Sequence, residues 1–391
     1  MIVRQFINWI RTAPAGERAE ATRSLARAWL ISNLAEGDRA AAEGALLMLL
    51  DDPSPLVRQA MADVFARSAD APAAIVQALS LDQPSIAVPV LEHSPLLIDA
   101  DLVDIVATGN GEMQCAIARR INLPPSVCAA IAEVGSAAAA LELIENAYAE
   151  LAPFSWDRIV ERHGHLAAIR ESMLVLEGLP AATRLALVAK LADTLAQFVV
   201  AKNWLTPDRV VRLTSEARER STVNIAARSR GEDMQGLVRH LRATGQLTAG
   251  LILRALLSGN LELFDSALAE LSGLPQARVT ALQQDRGSAS LQALLTRAGF
   301  PESTFAAFRV ALEVSHETGY VDSIGGAAKL RRTMVERVLT HCATDPLAAE
   351  PLLILLRRFA AESAREEARM FCDELLAEDA LAPGGYDLIA A

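Results

Sequence analysis

Asp99-x-Asp101-x-x-Asp104 places three carboxylates within six residues, the density at which acidic side chains hold calcium. Val103 stands where an oxygen ligand is required, and no glycine supplies the sharp turn of a calcium loop. The spacing instead predicts a helix N-terminus, with Asp99 as cap and the acids favoured by the helix dipole. His163-Gly164-His165, near Glu161, would set two imidazoles on one face of a strand. On a helix they diverge by about 200°, and the glycine predicts a helix junction with surface or capping histidines. Glu313-x-x-His316 has the spacing of a di-iron bundle, which needs that motif twice with two further glutamates, and it occurs here once. His341 and Cys342 are neighbours in sequence, so a helix would splay them apart rather than pair base with nucleophile.

Phosphate and acyl-transfer signatures are absent: no GxSxG elbow, no loop ending GK[ST], and no GxGxxG opening a helix. Gly109-Asn110-Gly111 and Ser323-Ile324-Gly325-Gly326 are glycine turns without a strand before them. No catalytic, cofactor-binding or metal-binding residue is therefore assigned, and the expectation leans away from an enzyme. The four cysteines (Cys115, Cys128, Cys342, Cys372) form no CxxC and read as reduced small hydrophobes.

Charge supplies the remaining candidates. The net −11 disfavours nonspecific binding to polyanions, so nucleic acid is a poor expectation for the whole chain. Between Arg67 and Arg119 there is no Lys or Arg, while Asp70, Asp82, Glu92, Asp99, Asp101, Asp104 and Glu112 lie in that window. An acidic stretch without basic neighbours suits a basic protein partner. The opposite pole spans 207–242, where eight arginines, Arg209, Arg212 and Arg220 among them, face five acids. Asp208–Arg212, Arg212–Glu216 and Glu216–Arg220 have the i,i+4 spacing of a solvated helix face, and no aromatic side chain interleaves to stack on bases. Asp99, Asp101, Asp104, Arg209, Arg212 and Arg220 are the candidate partner-binding residues.

The elements that must position these residues are helical. Of 391 residues 73 are Ala and 56 Leu, while aromatics are 4%, a composition that supports helices and opposes a β-sandwich or barrel. Apolar runs at helical spacing are broken by proline at first-turn positions: Pro53 and Pro55, Pro84, Pro124 and Pro125, Pro180, Pro207, Pro275. Ser54, Thr206 and Thr248 are expected N-caps, and Gly178, Gly273 and Gly299 expected helix stops. Longer helices are expected over Pro180–Lys202, Pro207–Ala227, Pro301–Thr318 and Pro346–Glu378. The longest stretch without Asp, Glu, Lys or Arg, Ile121–Ala132, has 12 residues and two prolines, against the roughly 20 that a transmembrane helix needs. Ile2, Phe6, Trp9 and Ile10 are expected to cover one end of a core. Arg4 and Arg11 interrupt any signal-peptide core, so the expected location is cytoplasmic.

The first half is repetitive. Asp52-Pro53-Ser54-Pro55-Leu56-Val57-Arg58-Gln59-Ala60-Met61-Ala62 is followed by Gln83-Pro84-Ser85-Ile86-Ala87-Val88, then by Gly111–Ala118 and Ser136–Ile144, at periods of 24 to 31. Val57, Ala60 and Val64 share a face, and one such unit buries its apolar face only by stacking on another. The Asp-Pro-x-x-x-Val-Arg-x-x-Ala-x-Ala unit at 52–62 resembles a HEAT repeat. Ser94-Pro95-Leu96-Leu97 with Asp101-Leu102 and Ala116–Arg120 is similar to the alphaproteobacterial domain-of-unknown-function 2336 family, as is Leu237–Pro301 read through Arg254–Asn260 and Ala267–Leu271. The resemblance covers roughly residues 40 to 345 and implies a HEAT-like helical array with no assigned activity. It also implies that Asp52 and Arg58 are structural, linking adjacent units. Gln83 stands where Asp52 did and Pro89 where Arg58 did, so no Asp–Arg ladder is expected along the whole array.

The expected fold is an all-α HEAT-like helical repeat solenoid: short repeats over 1–150 and longer helices over 151–391, continuous with the first. The expected function is a cytoplasmic scaffold for protein–protein interaction, without cofactor. Two alternatives stand beside it: nucleic-acid or nucleotide binding through 207–242, and a HEAT-like lyase or metalloenzyme at His163 and His165.

Overall fold

Proline opens helices where the sequence places it: Pro55, Pro84, Pro125, Pro153 and Pro207 are each a first helical residue. A missing N–H costs nothing there, because that group has no intrahelical partner. The computed structural model describes residues 6, 8–284, 288–318, 326–344 and 349–381. Among these, every regular element is helical, and the one extended contact is an isolated bridge between Leu123 and Ala149. The chain is all-α. Contacts divide it between Leu179 and Pro180. That is later than the seam expected near residue 150, because the helices over 153–175 still pack onto those before them.

The first unit contains α1 (Ala15–Ile31), α2 (Glu36–Leu49), α3 (Pro55–Phe65), α4 (Ala73–Ser80), α5 (Pro84–His93), α6 (Asp99–Thr108), α7 (Gly111–Ala118), α8 (Pro125–Val134), α9 (Ala137–Glu145), α10 (Pro153–His163) and α11 (Ala167–Val175). Helices pack on their second neighbours: α1, α3, α5, α7, α9 and α11 form one row, and α6, α8 and α10 a second. From α3 onward, helices of the first row begin at 55, 84, 111, 137 and 167, intervals of 29, 27, 26 and 30. Small residues set the close approach, since Ala60, Ala62, Ala116, Ala118 and Ala140 are all fully buried. Phe65, edge-on to Trp29 at 6.2 Å, fills the gap between α1 and α3, a burial that contributes about 2–3 kcal/mol. Val64, expected on that face, is only half-buried.

Two kinds of rung tie the rows. Arg18, the fourth residue of α1, forks onto Asp52 at 2.8 and 2.7 Å. Arg58, the fourth residue of α3, does the same to Asp82 at 2.6 and 3.1 Å and donates to the Asp52 carbonyl. The residue matching Asp52 is thus Asp82, not Gln83. Pro55 corresponds to Pro84 as first helical residue, a shift of 29, and Asp82 stands two residues before its proline where Asp52 stands three, so the ladder runs one rung further than the sequence spacing implied. At the same fourth position α5 has Ala87, which ends the Arg–Asp series, and α7 has Gln114. Buried Gln114 donates to the Val106 carbonyl and accepts from the Ser136 N–H.

The second kind caps helix C-termini, whose last carbonyls lack intrahelical donors. Arg120 reaches back to the carbonyls of Leu91 and Ser94 at the end of α5. Asn146 caps α7 through the carbonyls of Ala118 and Arg120, and Arg162 caps α8 through those of Ala132 and Gly135. Gly135 is required at that end, because a Cβ would lie 2.5 Å from the Ile131 carbonyl oxygen.

The second unit holds a hairpin of two long helices, α12 (Ala181–Ala201) and α13 (Pro207–Ala226), then α14 (Gly231–Ala243), α15 (Ala249–Leu257), α16 (Leu261–Ser272), α17 (Gln276–Gln284), α18 (Ser288–Arg297), a 3-10 turn (Glu302–Thr304), α19 (Phe305–Thr318), α20 (Gly326–Thr344) and α21 (Glu350–Leu381). The long helices fall where expected, except that Pro301–Thr318 opens as a 3-10 turn and that 346–348 lie outside the described residues. Thr248 caps α15 by accepting from the Leu251 N–H, whereas Ser54 and Thr206 occupy N-cap positions without a side-chain cap bond. Gly273 and Gly299 end their helices at positive φ. Central to this unit is α15, buried at every residue from Leu251 to Leu257. Phe264, Phe300 and Phe308 stack beside it in one apolar cluster.

Candidate functional site

The acidic window acquires partners once folded. Asp82 is taken by Arg58, and Glu92 lies 3.6 Å from Arg119, so flanking arginines pair part of it. Ile98, not Asp99, occupies the N-cap of α6, because the helix begins one residue earlier than expected. Asp101, at the third helical position, accepts from the Ile98 N–H at 3.3 Å and performs the capping. Asp99 accepts from Ser126 at the start of α8, and Asp104 is exposed with no ion-pair partner among the described residues. The three carboxylates thus serve separate local purposes and do not converge.

The arginine-bearing helix is likewise not a self-paired face. None of the expected i,i+4 pairs in α13 forms. Glu216 meets Arg358 at 3.2 Å, Glu219 meets both Arg254 at 3.3 Å and Arg358 at 3.1 Å, and Arg220 lies 3.5 Å from Glu362. Intrahelical pairs through solvent are worth only about 0.2–0.5 kcal/mol, so half-buried partners from α21 displace them. Arg209 and Arg212, nearer the hairpin turn, are exposed and have no ion-pair partner among the described residues.

Arg254 anchors this network. It sits in the middle of α15, between Leu251-Ile252-Leu253 and Ala255-Leu256-Leu257, and is only 6% exposed. Glu362 accepts from Arg254 Nη1 at 2.7 Å, and the Arg254 guanidinium stacks over Phe359 at 4.2 Å. Burial alone would raise the Glu362 carboxyl, but the Arg254 hydrogen bond and the charges of Arg254, Arg220 and Arg358 hold it below its ordinary value. Beside the network lies a cavity of about 230 Å3, lined by Arg220, Arg254, Arg331, Arg365 and Arg369, with Val223, Leu257, Val335 and Phe359 as apolar walls. Sequence reading did not single out Arg254 as a site residue. The available signal was one charge between two apolar triplets, which a buried helix tolerates only with partners.

A second exposed feature is the hairpin. Apart from Val210, none of its residues between Val188 and Ser221 is buried. Leu195, Phe198, Trp204 and Val211 are 53%, 49%, 66% and 66% exposed. The turn is set by Asn203 at φ 55°: its N–H bonds the Val200 carbonyl and that of Trp204 bonds Val199, a Schellman arrangement. Trp204 thereby meets Phe198 edge-on at 5.6 Å.

Other candidates separate. His163 ends α10 at 3.4 Å from the Gly135 carbonyl oxygen, and burial and the charge of Arg162 favour its neutral form. His165 is exposed on the far side of the junction at Gly164. Glu313 and His316 are exposed on α19. Among the described residues no three His, Cys, Asp or Glu side chains converge as metal ligands. Cys128 is buried, which pushes its thiol up to about 11, and Cys342 is buried while His341 is exposed. Asn110 caps α7 through the Met113 N–H, so the Gly109–Gly111 turn is a helix start. Ser323–Gly325 and Ile2 lie outside the described residues. No helix among the described residues is long and apolar enough to cross a membrane.

Residues 86–348 match the family described as uncharacterised protein conserved in bacteria (DUF2336), and the chain belongs to that family. The matched segment includes Arg220, Arg254 and Arg331; Phe359, Glu362, Arg365 and Arg369 lie beyond it. No curated protein and no solved structure matches the chain.

Proposed function

We propose that this chain is a HEAT-like helical-repeat scaffold of the cytoplasm that docks a partner protein on the apolar face of the α12–α13 hairpin. The observation that carries the reading is the exposure of Leu195, Phe198, Trp204 and Val211 around one turn. Large aromatic side chains left in water together are uncommon on a surface that stays free, and Trp is enriched where partners bury energy. Lys202, Arg209 and Arg212 flank the same turn, with Asp208 as the only carboxylate between Trp204 and Ser215. The partner therefore carries an apolar groove with an acidic rim. Second-neighbour stacking at intervals of 26 to 30 residues supports the HEAT-like description of the first unit.

The test is affinity capture from native cytoplasm with the whole chain, its Phe198→Glu/Trp204→Glu variant and its Asp99→Asn/Asp104→Asn variant. The expected result is a partner depleted at least tenfold by the hairpin variant alone. Loss by the acidic-window variant instead would move the site to α6 and a basic partner. An unchanged partner set overturns the hairpin reading. Vesicle flotation and light scattering on the same proteins report whether a membrane or a second copy is the occupant, and either result also overturns it.

A further inference from the structure

The cavity beside α15 is unused by the docking proposal, and its chemistry is specific. Five guanidinium groups line it against two carboxylates, Glu362 and Glu366. Arg254, Arg220 and Arg331 are already engaged, the first two with Glu362 and the third with Glu366 at 2.5 Å. Even so, Arg331 keeps a buried Nε–H that has no hydrogen-bond acceptor, and that of Arg254 lies 3.3 Å from Glu219 without completing a hydrogen bond. A buried donor left in that state costs about 1–3 kcal/mol, an expense that an incoming oxygen would relieve. Arg365 and Arg369 add charge with no ion-pair partner among the described residues, and their i,i+4 spacing on α21 sets both on the cavity side.

We infer that this cavity binds a small phosphoryl anion carrying two or more negative charges. The lining excess of three positive charges calls for a polyanion, and guanidinium forks match tetrahedral phosphoryl oxygens two at a time. Each phosphoryl group brings about −1.5 to −2 charge and three acceptors. Val223, Leu257, Val335 and Phe359 set apolar surface beside these charges, which strengthens each contact.

The probe is inorganic pyrophosphate, titrated calorimetrically into the whole chain at fixed ionic strength, with citrate and ADP as parallel titrants. Saturable pyrophosphate binding is expected, at least tenfold weaker in Arg365→Gln/Arg369→Gln, whose exposed substitutions leave the fold intact, and weaker again with Arg331→Gln. Arg309→Gln, exposed on α19, is expected to bind as the parent does. Tighter binding of ADP than of pyrophosphate identifies a nucleotide as the source of the phosphoryl group. Citrate binding more tightly than either, or no saturable heat, overturns the inference. So does equal weakening by Arg309→Gln, which would mark the effect as general surface charge.

Discussion

Arg120 and Arg254 are both guanidinium groups drawn into a helical core, yet their surroundings differ in kind. Arg120, in the first unit, ends on two backbone carbonyls, and no carboxylate lies within ion-pair distance. Burial pulls it below its ordinary pKa, with the charge of Asp99 as partial compensation. Arg254, in the second unit, meets Glu219, Glu362 and the face of Phe359, in a group that also includes Arg220 and Arg358. The first arrangement repeats, each donor serving one helix end. The second is a coupled network with open coordination. The difference teaches that the same residue type encodes architecture in one unit and a binding-competent charge cluster in the other.

The largest expected effect lies in the network. Arg254→Ala leaves Glu219 and Glu362 only their more exposed partners Arg358 and Arg220 and should destabilise the second unit by about 3–4 kcal/mol, read by hydrogen exchange of α15 and α16. The Arg254/Glu362 double-mutant cycle should show coupling above about 1 kcal/mol, whereas Arg120→Ala and Arg162→Ala should add to within about 0.5 kcal/mol. Additivity in both units would erase the contrast. Arg120→Ala itself should cost the first unit about 2–3 kcal/mol, because two helix-end carbonyls lose their donor. Arg120→Lys should recover only part of this, since one ammonium does not reproduce the fork.

Asp82→Asn comes next, at about 1 kcal/mol by urea unfolding, through loss of the charge-assisted fork with Arg58. Its neighbour on the ladder adds a pH signature. Burial pushes the Asp52 carboxyl up, but the Arg18 hydrogen bond, the Ser54 N–H and the charges of Arg18 and Arg58 bring it below its ordinary value. A lowered folded-state pKa contributes stability above the unfolded value, near 3.8, that fades as pH falls through the folded one. Unfolding titrations of Asp52→Asn should accordingly be flatter than the parent's below about pH 5. The smallest effect belongs to Arg365→Gln/Arg369→Gln, within about 0.5 kcal/mol of the parent, as befits exposed residues reserved for a ligand.

How much of this was legible beforehand depends on the range of the interaction. Helix starts at proline and stops at Gly273 and Gly299 are written in one or two residues, and the sequence shows them. The Arg58 rung was half legible: the arginine was identified, but aligning Pro53 with Pro84 hid Asp82, one residue away. Tertiary capping by Arg120 and Arg162 leaves no local mark, because the acceptors are backbone atoms that carry no sequence identity. The cavity is less legible still, since Glu362 meets Arg254 across 108 residues. Only the lone charge in Leu251–Leu257 announced that a distant partner had to exist.

The caps of the first unit also have a direction in time. Arg120, Asn146 and Arg162 each follow their acceptors by 26 to 30 residues. A helix emerging from the ribosome therefore waits for the next repeat before its last carbonyls are satisfied. At about 5–20 residues per second that interval is a few seconds. Each repeat is thus finished by its successor, so the array should consolidate from the N-terminus, one helix end behind synthesis.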